Sequence, residues 1–338
     1  MNQGNITISI GSGVVDSIFG AVQAPIRSYA LKKAEAFEQE SLLPKLFRME
    51  KSSHWAEQYG GETAMDNFTP VGEGGSYPNV GFEEGYQQTI RNETWKNRFT
   101  VTRELVEDAQ LGKMRQRANK LITSYYRTRE MFGRSLYAGG LFGLTVDVGG
   151  KTFSCAAADG KKLFATDHPN KVKGGKQSNV YAGEFSAANL DAVETEMQNT
   201  KGDNGELLAI APDTILIPND AQLKRLVFEV VGADQDPESG DNGFNYQFGR
   251  WNVIVDPYLT LALQQMGKAD AKPWMLLDSK FIQENDGAIF QDRVKLDVKS
   301  RVSPDNDNNH WDGYARWSAG FADWRFAAAG GVSGGTAL

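Results

Sequence analysis

The sequence predicts an α+β fold, and three observations carry that expectation. A single amphipathic stretch is long enough for about seven helical turns. A Gly-rich segment lies beside a long strand with no core of its own. A third region alternates strand and helix before two long closing strands.

At the N-terminus, Val15, Ile18, Phe19, Val22, Ile26 and Tyr29 recur at three- and four-residue spacing, so they share one helix face. Pro25 falls inside that pattern and is expected to break or kink it. SYALKKAEAFEQE (28–40) reads as a second helical piece. Two such short helices are marginal alone in water, so they must lie on something.

Residues 51–80 are rich in glycine and turn formers, and GYQQTIRNETWKNRFTVT (85–102) reads as one long strand. Together they predict a two-stranded ribbon with a Gly-rich tip. Such a ribbon is marginal by itself, and ordering each residue costs about 1–2 kcal/mol of backbone entropy. Little in the segment offsets that apart from scattered aromatics such as Trp55, Tyr59, Phe68, Tyr77 and Phe82. They are the candidates for contact with a surface outside the ribbon's own domain.

Thr102 is placed to cap a short helix closed by Gly112. A long helix follows over 113–138, with Met114, Ala118, Leu121, Ile122, Tyr125, Phe132 and Leu136 as its apolar stripe and Gly139-Gly140 as its stop. Beyond a Gly- and Lys-rich region, Ser186 caps a helix through Thr200, TILIP is a buried strand, and Asn219 caps a helix closed by Gly232. WNVIVDPYL (251–259) and WMLLD (274–278) are further strands. IFQDRVKLDVKSRV alternates like a half-buried strand, and YARWSAGFADWRFAAAG is a long closing one.

The 338 residues carry a net charge of −7, which argues against a general nucleic-acid binder. The charge is uneven. Lys113, Arg115, Arg117, Lys120, Arg127, Arg129 and Arg134 stand against the single acid Glu130. That stretch carries +6, leaving −13 for the rest of the chain. The face is either merely solvated or turned toward a polyanion, with sequence-independent, salt-sensitive contact. No apolar run approaches the roughly 18–20 residues that span a bilayer, and the start lacks signal-peptide character, so neither a membrane nor secretion is expected. The single cysteine, Cys155, excludes an internal disulfide.

Catalytic, metal and cofactor motifs fail one by one. GGKT (149–152) ends like a phosphate-binding loop, but Thr145 stands where its first glycine belongs. Asp305-Asn-Asp-Asn-Asn309 starts like a calcium loop, yet His310 replaces the turn glycine and Arg316 the bidentate glutamate. GRSLY (133–137) lacks the last glycine of a nucleophile elbow and falls inside a helix. His54, His168 and His310 have no metal-ligand spacing. Asp167 and His168 are adjacent in an extended stretch before Pro169, so their side chains point apart and a turn is expected there. A hydrolase using His168 is the rival from another functional class. No catalytic, cofactor or metal residue is nominated.

The order of these pieces resembles the major capsid proteins of tailed bacteriophages, the Hong Kong 97 type fold, and within them the Mu-like major head subunits. The resemblance rests on FTVTRELVEDA (99–109), LYAGGLFG (136–143), DGKKLFATDHPN (159–170), DTILIPNDAQLKRLVFEVVG (213–232), WNVIVDPYL and YARWSAGFADWRFAAAG (314–330). It implies an N-terminal arm (1–50), an extended loop reaching a neighbour (51–101), a peripheral domain (102–183 and 286–338) with spine helix 113–138, and an axial domain (184–285). It implies a non-enzymatic subunit that builds pentamers and hexamers of an icosahedral shell. That shell is assembled in the bacterial host cytoplasm and found in the virion. The long helix would face packaged double-stranded DNA through Arg115, Arg117, Lys120, Arg127 and Arg129. Implied partners are a scaffold, a portal and decoration proteins; the scaffold is separate or the chain is already shortened. A tail or baseplate component is the nearer rival.

Overall fold

In a computed structural model, residues 6–10, 19–62, 68–77, 84–108, 111–234 and 244–337 are described. In chain order the elements begin with β1 (Ile6–Ile10), α1 (Gly20–Glu40), α2 (Leu43–Leu46), β2 (Arg48–Lys51), β3 (Ala56–Glu62), β4 (Glu84–Arg91) and β5 (Glu93–Val101). The middle of the chain gives α3 (Arg103–Glu107), α4 (Leu111–Phe142), β6 (Thr145–Val148), β7 (Lys151–Ser154), and the two-residue strands β8 (His168–Pro169) and β9 (Lys176–Gln177). Next come α5 (Ala187–Gln198), β10 (Thr214–Pro218), α6 (Ala221–Val231), β11 (Asn252–Asp256), α7 (Pro257–Gln265), β12 (Trp274–Leu277) and α8 (Ser279–Glu284). The chain closes with β13 (Ala288–Val302), β14 (Asn309–Phe321) and β15 (Ala327–Gly330).

Helix α4 has 32 residues, which make it about 48 Å long. The apolar stripe is buried as its spacing requires: Met114, Phe132 and Leu136 have no exposed surface, and Ala118, Leu121, Ile122 and Tyr125 are buried with them. The helix does not stop at Gly139-Gly140. A Cβ on Gly139 would sit 2.5 Å from Cys155 Sγ, and one on Gly140 2.7 Å from Leu163 Cβ. These glycines let the segment 144–165 pack hard against the last turn, which offsets their poor helix propensity of roughly 1 kcal/mol each.

One face of α4 lies on a five-stranded sheet ordered β1-β13-β14-β5, with β2 also pairing with β13. Alternation sets its two faces. Leu296, Val298, Trp311, Ala315 and Trp317 point into the core, where Trp95 stacks on Trp317 and Phe99 on Trp311 at 4.7 and 5.5 Å between centroids. The stretch 85–102 is not one strand. It divides at Asn92, a buried residue whose amide donates to Ser52 Oγ and the His54 carbonyl at 2.6 and 2.9 Å. On one side β4 pairs with β3; on the other β5 pairs with β14.

The described part of the N-terminal arm lies on its own subunit. Helix α1 continues through Pro25, because Ile26, Ala30 and Ala34 are buried in the core shared with α4. Phe37 stacks on Tyr126, whose hydroxyl donates to Glu38. Leu43, Leu46 and Phe47 are buried next, and β1 runs parallel to β13.

A second sheet is ordered β11-β10-β12-β15. The strand expected to run to 259 ends at Asp256, which caps α7 through the amides of Tyr258 and Leu259 with Pro257 in the first turn. Ser186 caps α5 as expected, whereas Asp220 and not Asn219 caps α6. The long closing strand breaks after Phe321, and its last four residues cross to the second sheet beside β12. Leu216 and Met275 of that sheet share one core cluster with Phe290 and Trp317 of the first.

Candidate assembly surfaces

The ribbon is the antiparallel pair β3–β4, and its base is fastened to its own subunit. The Glu57 carboxylate accepts from the amides of Ser53 and His54 and from Ser52 Oγ, at 2.9, 3.0 and 2.8 Å. The His54 amide bond, and then the Ser52 hydroxyl, hold that carboxyl down at about 2. The Gly60 amide donates to Asp286 at 3.0 Å from a positive φ of 74°, and Lys171 donates to the Gly85 carbonyl at 2.8 Å.

Tyr59 packs on Ile90, Ile289 and Ala322 and donates to Gln291 at 3.1 Å. Of the five aromatics expected to meet a neighbour, it is therefore spent on the subunit's own body. Trp55 is 59% exposed beneath the Arg91 guanidinium. Phe68 and Tyr77, in the described part of the tip, are 104% and 98% exposed, and Val71 beside them is also open. Phe82 lies outside the described residues.

The basic helix divides in two. Lys113, Arg115, Lys120 and Arg127 are exposed and Arg117 is half-buried, donating to the Thr100 carbonyl. Lys113, Lys120 and Arg127 recur every seventh residue, so they form one stripe about 21 Å long. Arg129 corrects the expectation. It forms a two-point ion pair with Asp292, donates to Tyr125 Oη, and lies over the rings of Phe290, Tyr125 and Trp317 at 4.6, 5.5 and 5.5 Å. With only 6% of its side chain exposed, it holds the helix to β13 and faces no solvent. Arg134 is likewise buried, paired with Asp256 and Glu130. Its position gave a signal: Arg129 stands four residues after Tyr125 and three before Phe132, on the apolar stripe itself.

The outer face of the five-stranded sheet was not anticipated. Lys96 and Arg98 of β5, Asp312 and Tyr314 of β14, and Asp297, Lys299 and Arg301 of β13 fall in register on the side away from α4. Arg98 and Arg301 both grip Asp312, and Lys299 pairs with Asp297 at 3.3 Å. Two open depressions of about 540 and 400 Å³ lie across this face, both bordered by Tyr314.

His168 has no room for catalysis. It is fully buried, with Nδ1 2.6 Å from Asp159, Nε2 3.2 Å from Asn179 Oδ1, and its ring stacked on Trp324 at 4.2 Å. Asp167 turns outward to Lys161 at 2.6 Å. Asn179 in turn donates to the carbonyls of Leu163 and Ala327 at 2.8 and 3.0 Å. Both imidazole nitrogens serve a buried knot that ties loop 159–168 to β15, and neither meets a nucleophile. Among the described residues no group of three or more His, Cys, Asp or Glu is placed to hold a metal. Nor is any helix among them long and apolar enough to cross a membrane.

Among solved structures, a chain of Mycobacterium phage Patience superimposes with a TM-score of 0.51 at 12% identity, over 92% of this chain and 89% of that one. A chain from the procapsid of bacteriophage JBD30 aligns with a TM-score of 0.44 at 16% identity, covering 91% of this chain and 74% of that one. A chain of Mycobacterium phage Adephagia gives 0.47 at 13% identity, covering 88% and 90%. No curated protein matches the sequence. The α+β architecture is that of phage capsid subunits across most of the chain. The phage capsid protein family matches residues 85–330, from ribbon strand β4 through β15, and this chain belongs to that family.

Proposed function

We propose that this capsid-family chain is the major head subunit of a tailed bacteriophage of the Mu-like group. Copies of it close into pentamers and hexamers of an icosahedral shell around double-stranded DNA. The observation that supports this beyond family membership is the ribbon tip. Phe68, Val71 and Tyr77 are left open to water. A large apolar surface so exposed marks a protein contact, and a subunit held on several sides gains from simultaneous attachment.

The stripe Lys113, Lys120, Arg127, with Arg115 and Arg117 beside it, suits the interior surface. It offers point charges spaced along one helix face, which suits phosphate contact without reading of sequence. A scaffold, a portal and decoration proteins belong to this reading, as does assembly in the host cytoplasm. The role is structural and not enzymatic; the fully engaged His168 supports that.

Two variants test it. Deleting 72–79 should leave a folded subunit by circular dichroism and halt shell completion; loss of folded protein would show that the tip serves its own subunit. Converting Arg115, Lys120 and Arg127 to glutamate should lower the ratio of DNA-filled to empty shells. Equal loss of filled and empty shells would instead assign these cations to protein–protein contacts.

A further inference from the structure

We propose that His168 is a buried imidazolium whose second proton latches the segment 159–177 to the subunit body, and that the latch is released when the pH rises. The inference goes beyond the shell-forming reading and stands on the single subunit.

The proton count follows from the partners. The Asn179 amide is fixed in one orientation: its Nδ2 donates to the carbonyls of Leu163 and Ala327 at 2.8 and 3.0 Å, and its Oδ1 accepts from the Ala165 amide at 2.9 Å. That same Oδ1 faces His168 Nε2 at 3.2 Å, so Nε2 carries a hydrogen. Nδ1 lies 2.6 Å from Asp159 Oδ2, while the other carboxylate oxygen accepts from the Lys161 amide at 3.0 Å. A carboxylate only accepts, so Nδ1 carries a hydrogen as well. With both nitrogens donating, the ring is a cation. Its stack on Trp324, 4.2 Å between centroids and 8° between planes, lays that charge on an aromatic face. The other charges on the elements around it are engaged elsewhere. Asp167 takes Lys161, with Lys176 at 3.8 Å, and Lys162 donates to the Leu141 carbonyl. Arg325, over the Trp324 ring at 5.1 Å, is held by Asp203 and Asp323. Asp159 is the carboxylate that answers the imidazolium.

A neutral ring has one hydrogen for these two acceptors. Whichever nitrogen loses its proton then sets a lone pair against an oxygen in a buried site, which shifts the local equilibrium toward opening by about tenfold or more. The latched state binds one more proton than the released state, so the latch holds at low pH and is lost as the pH rises. The knot is buried but not sealed. Asp159, Trp324 and Arg325 border an open cavity of about 510 Å³, which gives the proton a route to water. Gly160, at a φ of 77° with open space around it, supplies the turn on which the segment swings. The ribbon is tied to the same segment, because Lys171 donates to the Gly85 carbonyl at 2.8 Å and lies over the Tyr86 ring at 5.4 Å. Release at His168 therefore loosens one of the ribbon's own ties.

The test is nuclear magnetic resonance on the unassembled full chain labelled with nitrogen-15 histidine, with His168→Gln used to assign the signals. At about pH 7 both ring nitrogens of His168 should resonate as protonated nitrogens. One unprotonated nitrogen at that pH overturns the proposal. As the pH is raised to about 9.5, the hydrogen-exchange protection of the Ala165 and Asn179 amides should fall at least about tenfold, in step with loss of one His168 proton. Protection at Ile215 and Leu216 of β10 should hold. Asp159→Asn is the discriminating variant. Its amide gives a hydrogen to Nδ1 while its oxygen keeps the Lys161 amide, so a single ring hydrogen suffices, and protection should stay within about twofold over the same range. Loss of protection in Asp159→Asn equal to that of the wild type overturns the latch, and so does unchanged wild-type protection once the proton has left. The two wild-type measurements decide alone should the variant fail to fold.

Discussion

Replacing Arg129 by alanine separates the two kinds of basic residue on α4. Its guanidinium spans from the helix to Asp292 on β13 and is roofed by three aromatic rings. Truncation leaves the Asp292 carboxylate, only 16% exposed, without its cation, a loss of about 3–5 kcal/mol for a buried pair broken on one side. The ring contacts contribute within that range, at roughly 0.5–2 kcal/mol each. Arg115→Ala, at an exposed position on the same helix, should change stability by less than about 0.5 kcal/mol. The assay is urea unfolding of the unassembled subunit, followed by tryptophan fluorescence. Trp317 lies against the Arg129 guanidinium and Trp95 stacks on Trp317, so the signal reports this site. Arg129→Leu combined with Asp292→Leu should recover most of the loss, since it removes both charges together. If Arg129→Ala unfolds within about 1 kcal/mol of wild type and loses DNA instead, the arginine is accessible and the structural assignment is wrong.

Three other outcomes follow from local geometry. Gly139→Ala should destabilise the subunit by about 1–3 kcal/mol through collision with Cys155 and Val146. Gly112→Ala, with nothing within 4 Å of its new Cβ, should be neutral or stabilising by up to about 1 kcal/mol; equal effects on the two melting curves would contradict this contrast. The Cys155 thiol, which burial pushes up to about 12, should resist a thiol reagent at pH 8 until the chain unfolds, and rapid labelling of native protein would contradict that. Glu57 sits near 2 against an ordinary value of 4.5, so the turn it organises is fully stabilised above pH 4.5. That contribution is lost as pH falls toward 2. Titration followed by nuclear magnetic resonance should place its midpoint near 2, and a midpoint near 4.5 would mean that the turn is open.

Where one short-range pattern dictates the outcome, the sequence was legible. The stripe from Met114 to Leu136 specifies α4 because a buried helix face recurs every three to four residues, and Ser186 specifies the start of α5 because its hydroxyl has an amide to accept. Elsewhere the deciding partner is far along the chain. Gly139 and Gly140 read as a helix stop until Cys155 and Leu163 are seen against them. Asn92 divides a strand because Ser52 and Gln291 hold its amide, from 40 and 199 residues away. The second half of that strand finds its partner in β14, a pairing no local pattern encodes. Two misreadings were avoidable. The spacing 125–129–132 put Arg129 on the apolar face, and Asp256-Pro257 is a helix start. Among the ribbon aromatics, Phe68 and Tyr77 are exposed, whereas Tyr59 packs on a remote patch of Ile289 and Ala322 that no local pattern announces. The sheet's outer cations needed the register of three strands before they formed a surface at all.

Electron micrographs and sedimentation of the purified full-length protein, across concentration and salt, test the central claim most directly. The account predicts rings of five or six copies and closed shells. A chain that stays monomeric under every condition, with residues 68–77 protected from hydrogen exchange, would contradict it.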